Sequence, residues 1–125
     1  MKKKHFIFPG QGSQSIGMTS DLLETSIAKN IFEKTNNAIG YDLLDVCKNG
    51  PEEILSKTKN TQPAIFTLSV IIDSLLKDSD IYPISVAGHS LGEYSALVSS
   101  NVLSFKNALD LIILRSSEME KANNA

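Results

Sequence analysis

Two features of this chain have residue types at spacings that can do chemistry. One is a serine framed by glycines, Gly88-His89-Ser90-Leu91-Gly92, and the other is a lone arginine, Arg115. The serine lies between an apolar stretch with strand character, Ile84 to Ala87, and a stretch with helix character, Glu93 to Val98. Strand, G-x-S-x-G, helix is the pattern of a nucleophile elbow. Its glycines permit a sharp backbone turn and a close approach of helix to strand. The serine oxygen is then presented at the carboxyl end of a sheet, beside the first free N–H groups of the helix. Those donors and the positive helix end suit the oxyanion of a tetrahedral acyl intermediate. Ser90 is therefore a candidate acyl-enzyme nucleophile; the plainer reading is a structural turn.

A serine hydroxyl is a weak nucleophile until a base takes its proton, and the usual base is a histidine oriented by a third group. The chain has two histidines, His5 and His89. His89 adjoins Ser90, but adjacent side chains at a tight elbow diverge, so packing beside the elbow or hydrogen-bonding the loop is its expected role. His5 falls at the outer end of a first strand and is expected to be exposed. The chain is read as holding a nucleophile without its base.

Arg115 shares a helical stripe with Ala108, Ile112 and Met119. A guanidinium on an apolar face needs an anionic partner or a route to water, because an unpaired buried charge is costly. Its position leaves two readings open. One is a structural salt bridge with Glu118 or Asp110, or a side chain that snorkels outward. The other is a bidentate clamp for a substrate carboxylate.

These groups need elements to position them. His5-Phe6-Ile7-Phe8 reads as a first strand stopped by Pro9-Gly10, followed by a glycine-rich loop through Gly17. No Gly-Lys-Ser/Thr follows that loop, so it is not a nucleotide phosphate loop. Its place after a strand puts it where open α/β sheets line their ligand crevice. A helical hairpin is expected from about Ser20 to Ala38, with Ile27, Ile31 and Ala38 on one stripe. Short helices are expected at Leu43 to Val46 and after Gly50-Pro51. Thr61-Gln62-Pro63 is read as opening the strongest helix, whose wide apolar face is Ala64, Ile65, Leu68, Ile71, Ile72, Leu75 and Leu76. Gln62 there either caps the helix or points into a pocket. Glu93, in the first turn after the elbow, complements the helix dipole. Ser104 caps a last helix from Phe105 to about Lys121. Strand, helices, strand, helix, helix favours an α/β architecture with a parallel sheet, and two strands leave that sheet incomplete.

Composition excludes several classes. The 125 residues allow one domain or part of one, and 42% hydrophobic with 21% charged residues suit a globular core and a polar surface. A net charge of -2 gives no electrostatic footprint for nucleic acid. No apolar run is long enough to span a bilayer, and Phe6-Ile7-Phe8 is too short for a signal-peptide core. Cys47 is the only cysteine, so a reducing cytoplasm is the expected compartment.

Taken together, FPGQGSQ (Phe8 to Gln14), TQPAIF (Thr61 to Phe66), GHSLGEYSAL (Gly88 to Leu97) and LRSSEM (Leu114 to Met119) resemble one family in type, order and spacing. It comprises the malonyl-CoA:acyl-carrier-protein transacylases and related acyltransferase domains of fatty-acid and polyketide synthases. The resemblance runs over nearly the whole chain. It implies that Ser90 becomes acylated, that Gln11 and Leu91 supply oxyanion-hole N–H groups, and that Arg115 binds the free carboxylate of a malonyl group. It places Gln62 and His89 near the acyl pocket in lesser roles. Malonyl-CoA and acyl carrier protein are the implied partners, without nucleic acid or membrane; no metal or cofactor is implied.

In that family the catalytic histidine follows the arginine helix, beyond a ferredoxin-like small subdomain inserted in a hydrolase-like core. This chain stops at Ala125, about where that subdomain begins. Residues 1–125 are therefore expected to be the N-terminal portion of a single acyltransferase domain: a partial hydrolase-like parallel sheet flanked by helices, with the ferredoxin-like subdomain absent and no activity alone. The missing C-terminal segment is then itself an expected partner. The start at Met1 favours a stand-alone parent over a synthase domain. Two other classes compete: a serine thioesterase or esterase of related fold, and a non-catalytic truncated fragment.

Overall fold

The computed structural model describes residues 2–124. Its first element is a four-residue strand, β1 (His5–Phe8), and the one strand pair among the described residues joins β1 in parallel to β2 (Ser85–Gly88), with His5 opposite Ser85 and Phe8 opposite Gly88. The ladder runs on at both ends through Ile84 N–H to Lys4 C=O (2.9 Å) and His89 N–H to Phe8 C=O (3.1 Å). Alternation decides which side of this sheet is covered. Phe8 is buried and Phe6 and Val86 half-buried on one face; Ile7 on the other is 80% exposed.

Between the strands run α1 (Ser26–Ile39), α2 (Leu43–Asn49), α3 (Glu52–Leu55) and α4 (Thr58–Asp78); after them come α5 (Gly92–Ser99) and α6 (Phe105–Asn123). The α/β class and the parallel pairing agree with the sequence. α4 is the central element, and every residue from 61 to 70 is buried, as expected of a helix apolar on most of its circumference; toward its C-terminus the expected face opens, with Leu75 and Leu76 half-buried and Ile72 exposed. On one side Ala64, Leu68 and Ile71 pack with Phe32, Leu43 and Leu55 from α1, α2 and α3. On the other, Ile65, Phe66 and Val70 pack with Leu91, Leu109 and Ile112 around α5 and α6, and Phe66 stacks on Phe105 at 5.4 Å.

Buried Thr67 and Asp73 of α4 are hydrogen-bonded to neighbouring helices, as burial demands. Thr67 Oγ1 and Thr35 Oγ1 lie 2.9 Å apart, joining α4 to α1. Asp73 pairs with Lys77 at 2.9 Å and accepts from Ser99 Oγ at 2.6 Å, while Lys77 Nζ donates to Ser99 C=O at 2.6 Å; this pins α4 to α5. Cys47 is buried in the first core, and burial, then Asp42, pushes its thiol up to about 12.

Three local expectations change. No helical hairpin spans 20–38: residues 17–25 form turns, and α1 starts after the N-cap Thr25, whose side chain accepts from Ala28 N–H. The fully buried stripe of α1 is Ala28, Phe32 and Thr35; of the expected stripe, Ile27 and Ile31 are half-buried, with Ile31 packed against both cores, and Ala38 is exposed. α4 opens three residues before Thr61, at Thr58, and Pro63 lies inside it. At this sixth helical position proline lacks the N–H that would bond the Lys59 carbonyl, so the helix forgoes one interior hydrogen bond there. Gln62 is consequently a helical residue facing inward, not a cap. By contrast Ser104 caps α6 as expected, accepting from Asn107 N–H at 3.1 Å.

Candidate active site

β2 ends at Gly88 and α5 begins at Gly92, leaving three residues to reverse the chain. Ser90 takes them through the left-handed region, with φ 55. A serine there carries strain of about 1–2 kcal/mol, held by what surrounds it. Gly92 N–H to His89 C=O (3.0 Å) and Glu93 N–H to Ser90 C=O (3.0 Å) close the turn. The flanking glycines are required by space: a Cβ on Gly88 would sit 2.1 Å from the Gly92 carbonyl, and one on Gly92 would sit 2.2 Å from the carbonyl oxygen of Phe8. The elbow is thus wedged against the end of β1, and Ser90 stands exposed at the carboxyl ends of both strands.

Arg115 comes to this serine from α6. Its Nη2 donates to Ser90 Oγ at 3.1 Å, and its Nη1 donates to Gln62 Oε1 at 2.7 Å. Its Cζ lies 5.7 Å from the centre of the Tyr94 ring, within cation–π range. Gln62 is completely buried on α4. Its Nε2 donates to Met119 Sδ at 3.3 Å and to Gln11 Oε1 at 3.4 Å, and Gln11 Nε2 in turn donates to Thr58 Oγ1 at 3.2 Å. One polar chain thus runs from α4 through the loop after β1 and α6 to the serine. The salt-bridge reading of Arg115 fails: Asp110 pairs with Lys106 and Glu118 with Lys121, each at 3.0 Å. Among the described residues the guanidinium has neutral partners only, so its charge is available to an anion beside Ser90.

Among the described residues neither histidine acts as a base for Ser90. His5 Nδ1 is 2.6 Å from Ser85 Oγ at the opposite end of the strands. His89 is exposed, and its ring lies against the loop at Gly10. Of the expected site residues, Ser90, Arg115, Gln62 and Gln11 are therefore joined by hydrogen bonds, Leu91 follows directly in the elbow, and His89 borders it. The backbone N–H groups of Gln11 and Leu91 meet no protein acceptor among the described residues. Sequence reasoning missed Tyr94 and Thr58. Tyr94 had a signal: four residues after Ser90, it lies one turn into the elbow helix and on the side Arg115 reaches. Thr58 had none, because the start of α4 was read three residues late.

With this geometry in view, similarity to known proteins is informative. The family model described as "Acyl transferase domain" matches residues 5–125. A malonyl CoA-acyl carrier protein transacylase of Haemophilus influenzae is 46% identical over 125 residues, 98% of this chain and 40% of that protein. One of Synechocystis sp. is 43% identical over 121 residues, 97% of this chain and 41% of that protein. The crystal structure of a Synechocystis transacylase superposes with a TM-score of 0.92 at 43% identity, covering 97% of this chain and 41% of that one. A malonyl-transacylase in complex with its type II PKS acyl-carrier protein gives 0.91 at 42% identity, covering 97% of this chain and 40% of that one. The chain spans about two fifths of the length of these relatives.

Proposed function

Since the chain belongs to the acyl transferase domain family, we propose that it carries the nucleophile and the carboxylate clamp of a malonyl-CoA:acyl-carrier-protein transacylase of fatty-acid synthesis. The observation that carries this reading is the guanidinium of Arg115, 3.1 Å from Ser90 Oγ and without a carboxylate partner among the described residues. A hydrolase of neutral esters has no use for an unpaired cation at its nucleophile. An acyl group that ends in a carboxylate does.

The reaction proceeds in two half-steps. Ser90 Oγ attacks the thioester carbonyl carbon of malonyl-CoA, and its proton passes to a base outside this chain, a histidine in the family resemblance. The oxyanion is held by the N–H groups of Leu91 and Gln11. Collapse breaks the C–S bond, and the coenzyme A thiolate leaves with the proton from the base. The malonyl carboxylate meanwhile pairs with Arg115, which Gln62 and Tyr94 hold from the side and below. The phosphopantetheine thiol of acyl carrier protein then gives its proton to the base, attacks the ester carbonyl and restores the Ser90 hydroxyl. Water kept from the ester separates transfer from hydrolysis. His89 borders the acyl pocket. Residues 1–125 form part of one acyltransferase domain, a cytoplasmic one, and the remaining length of the relatives supplies the base and the rest of the pocket. No metal or cofactor enters this scheme.

The test is the intact mass of the longer protein that carries this chain, after incubation with malonyl-CoA, with Ser90→Ala alongside. A malonyl-sized increase lost in the variant is expected once the base is supplied by the longer protein. An increase that persists in Ser90→Ala places the nucleophile elsewhere. Release of free malonate without any carrier protein favours a thioesterase.

A further inference from the structure

We propose that Arg115 also restrains the nucleophile: in the resting site it occupies Ser90 Oγ, and only an acyl group bearing a carboxylate draws it off. The inference rests on the carboxylate-clamp reading of Arg115 and extends it from binding to the timing of attack.

Both ends of the contact are held. Ser90 is fixed by the elbow at φ 55, so its Oγ moves only by rotation about its own side-chain bond. Arg115 is braced by a completely buried acceptor, Gln62 Oε1 at 2.7 Å, and by the Tyr94 ring beneath it. Among the described residues, the remaining polar contact of the guanidinium is the bond from Nη2 to Ser90 Oγ at 3.1 Å. That bond engages one of the two lone pairs of Oγ and draws electron density from the other, which must attack the acyl carbon. A neutral acyl group offers Nη2 nothing better than the hydroxyl it already holds. A carboxylate does, because charge-assisted bonds to guanidinium are roughly twice as strong as those to a neutral acceptor. The incoming carboxylate therefore takes Nη2 and frees Oγ at the moment a correct acyl group is present. After acylation Oγ is an ester oxygen, a poor acceptor, so the guanidinium stays on the carboxylate until the acyl group departs. Discrimination against carboxylate-free acyl groups then has two sources, weaker binding and a nucleophile left engaged.

This makes a prediction of unusual sign: removing the Ser90 hydroxyl should tighten the binding of a free carboxylate ligand, because Arg115 no longer surrenders a bond to accept it. The experiment is a titration of the 125-residue chain with malonate, followed by amide chemical shifts in two-dimensional NMR, for wild type, Ser90→Ala, Ser90→Gly and Arg115→Ala. Glycine adopts the φ at position 90 freely, so it reports loss of the hydroxyl without the strain that alanine retains. Expected are dissociation constants about 2- to 10-fold lower in both Ser90 variants, the factor that one net hydrogen bond amounts to, and loss of binding in Arg115→Ala. Malonate binding that is unchanged or weaker in the Ser90 variants, or tighter in one of them only, overturns the restraint while leaving the clamp intact. No malonate binding in wild type or either Ser90 variant, or binding that survives in Arg115→Ala, overturns the clamp and the restraint with it.

Discussion

Replacing Gln62 by glutamate changes one buried atom from nitrogen to oxygen and sets the charge of the whole site. Gln62 is completely buried, with Oε1 accepting from Arg115 Nη1 at 2.7 Å. In Gln62→Glu a carboxylate occupies that position and forms a permanent ion pair with the guanidinium. Two unit charges about 4 Å apart gain about 4 kcal/mol at an effective dielectric of about 20, against a desolvation penalty of several kcal/mol for the new ion. The terms nearly cancel, and the two donors lost from Nε2 are long, at 3.3 and 3.4 Å. Stability is therefore expected to change by less than about 1.5 kcal/mol. Anion binding is expected to collapse, because an incoming carboxylate meets a neutralised clamp. A hydrogen bond to a charged group is worth about 1.5–3 kcal/mol, so malonate affinity should fall about 10- to 150-fold. Gln62→Leu does the reverse. It strands Nη1 without its acceptor and destabilises by roughly 1.5–3 kcal/mol, but leaves the cation in place, so it should weaken malonate less than Gln62→Glu does. Urea unfolding gives the stabilities and NMR titration with malonate the affinities. A folded Gln62→Glu chain that binds malonate as wild type does would refute the assignment of Arg115 as an anion site.

Other perturbations probe the remaining links. In the longer protein, Arg115→Ala should lower malonyl transfer from malonyl-CoA far more than acetyl transfer from acetyl-CoA; equal losses on both substrates remove the carboxylate role. Gly92→Ala drives a Cβ to within 2.2 Å of the Phe8 carbonyl oxygen, beyond ordinary overpacking, and should destabilise by at least about 3 kcal/mol in urea unfolding; a near-neutral result means the elbow is not wedged on β1. The Cys47 thiol, raised by burial from 9.0 to about 12, should resist a thiol-specific disulfide reagent at pH 8 and react on adding denaturant. Because the folded value lies above the unfolded one, its contribution to stability is complete below about pH 9 and disappears as the pH climbs toward 12. Prompt labelling of the native chain contradicts the burial.

The two kinds of information divided along the distance over which each interaction acts. The elbow was legible because its requirements are local. Gly88 and Gly92 meet each other across four residues, and a serine between a strand and a helix has one direction to face. The ends of β1 and the start of α6 were legible for the same reason, since Pro9-Gly10 and the Ser104 cap act on their own neighbours. The α1 stripe was legible only in part, at Ile27 and Ile31, because helical periodicity states that a face is buried, not its exact centre; packing against α4 put Ala28, Phe32 and Thr35 there. The start of α4 was misread because Pro63 resembles a first-turn proline, while the packing of Thr58 and Asn60 extends the helix past it. Arg115 is the clearest division. Its place on an otherwise apolar stripe was visible at once, yet its position along the chain was equally consistent with Asp110 or Glu118 as partner. Gln62 lies 53 residues away and Ser90 lies 25. Only the burial of α4 between two cores, with α6 laid across it beside the elbow, brings their oxygens within reach of one guanidinium and leaves its charge unanswered.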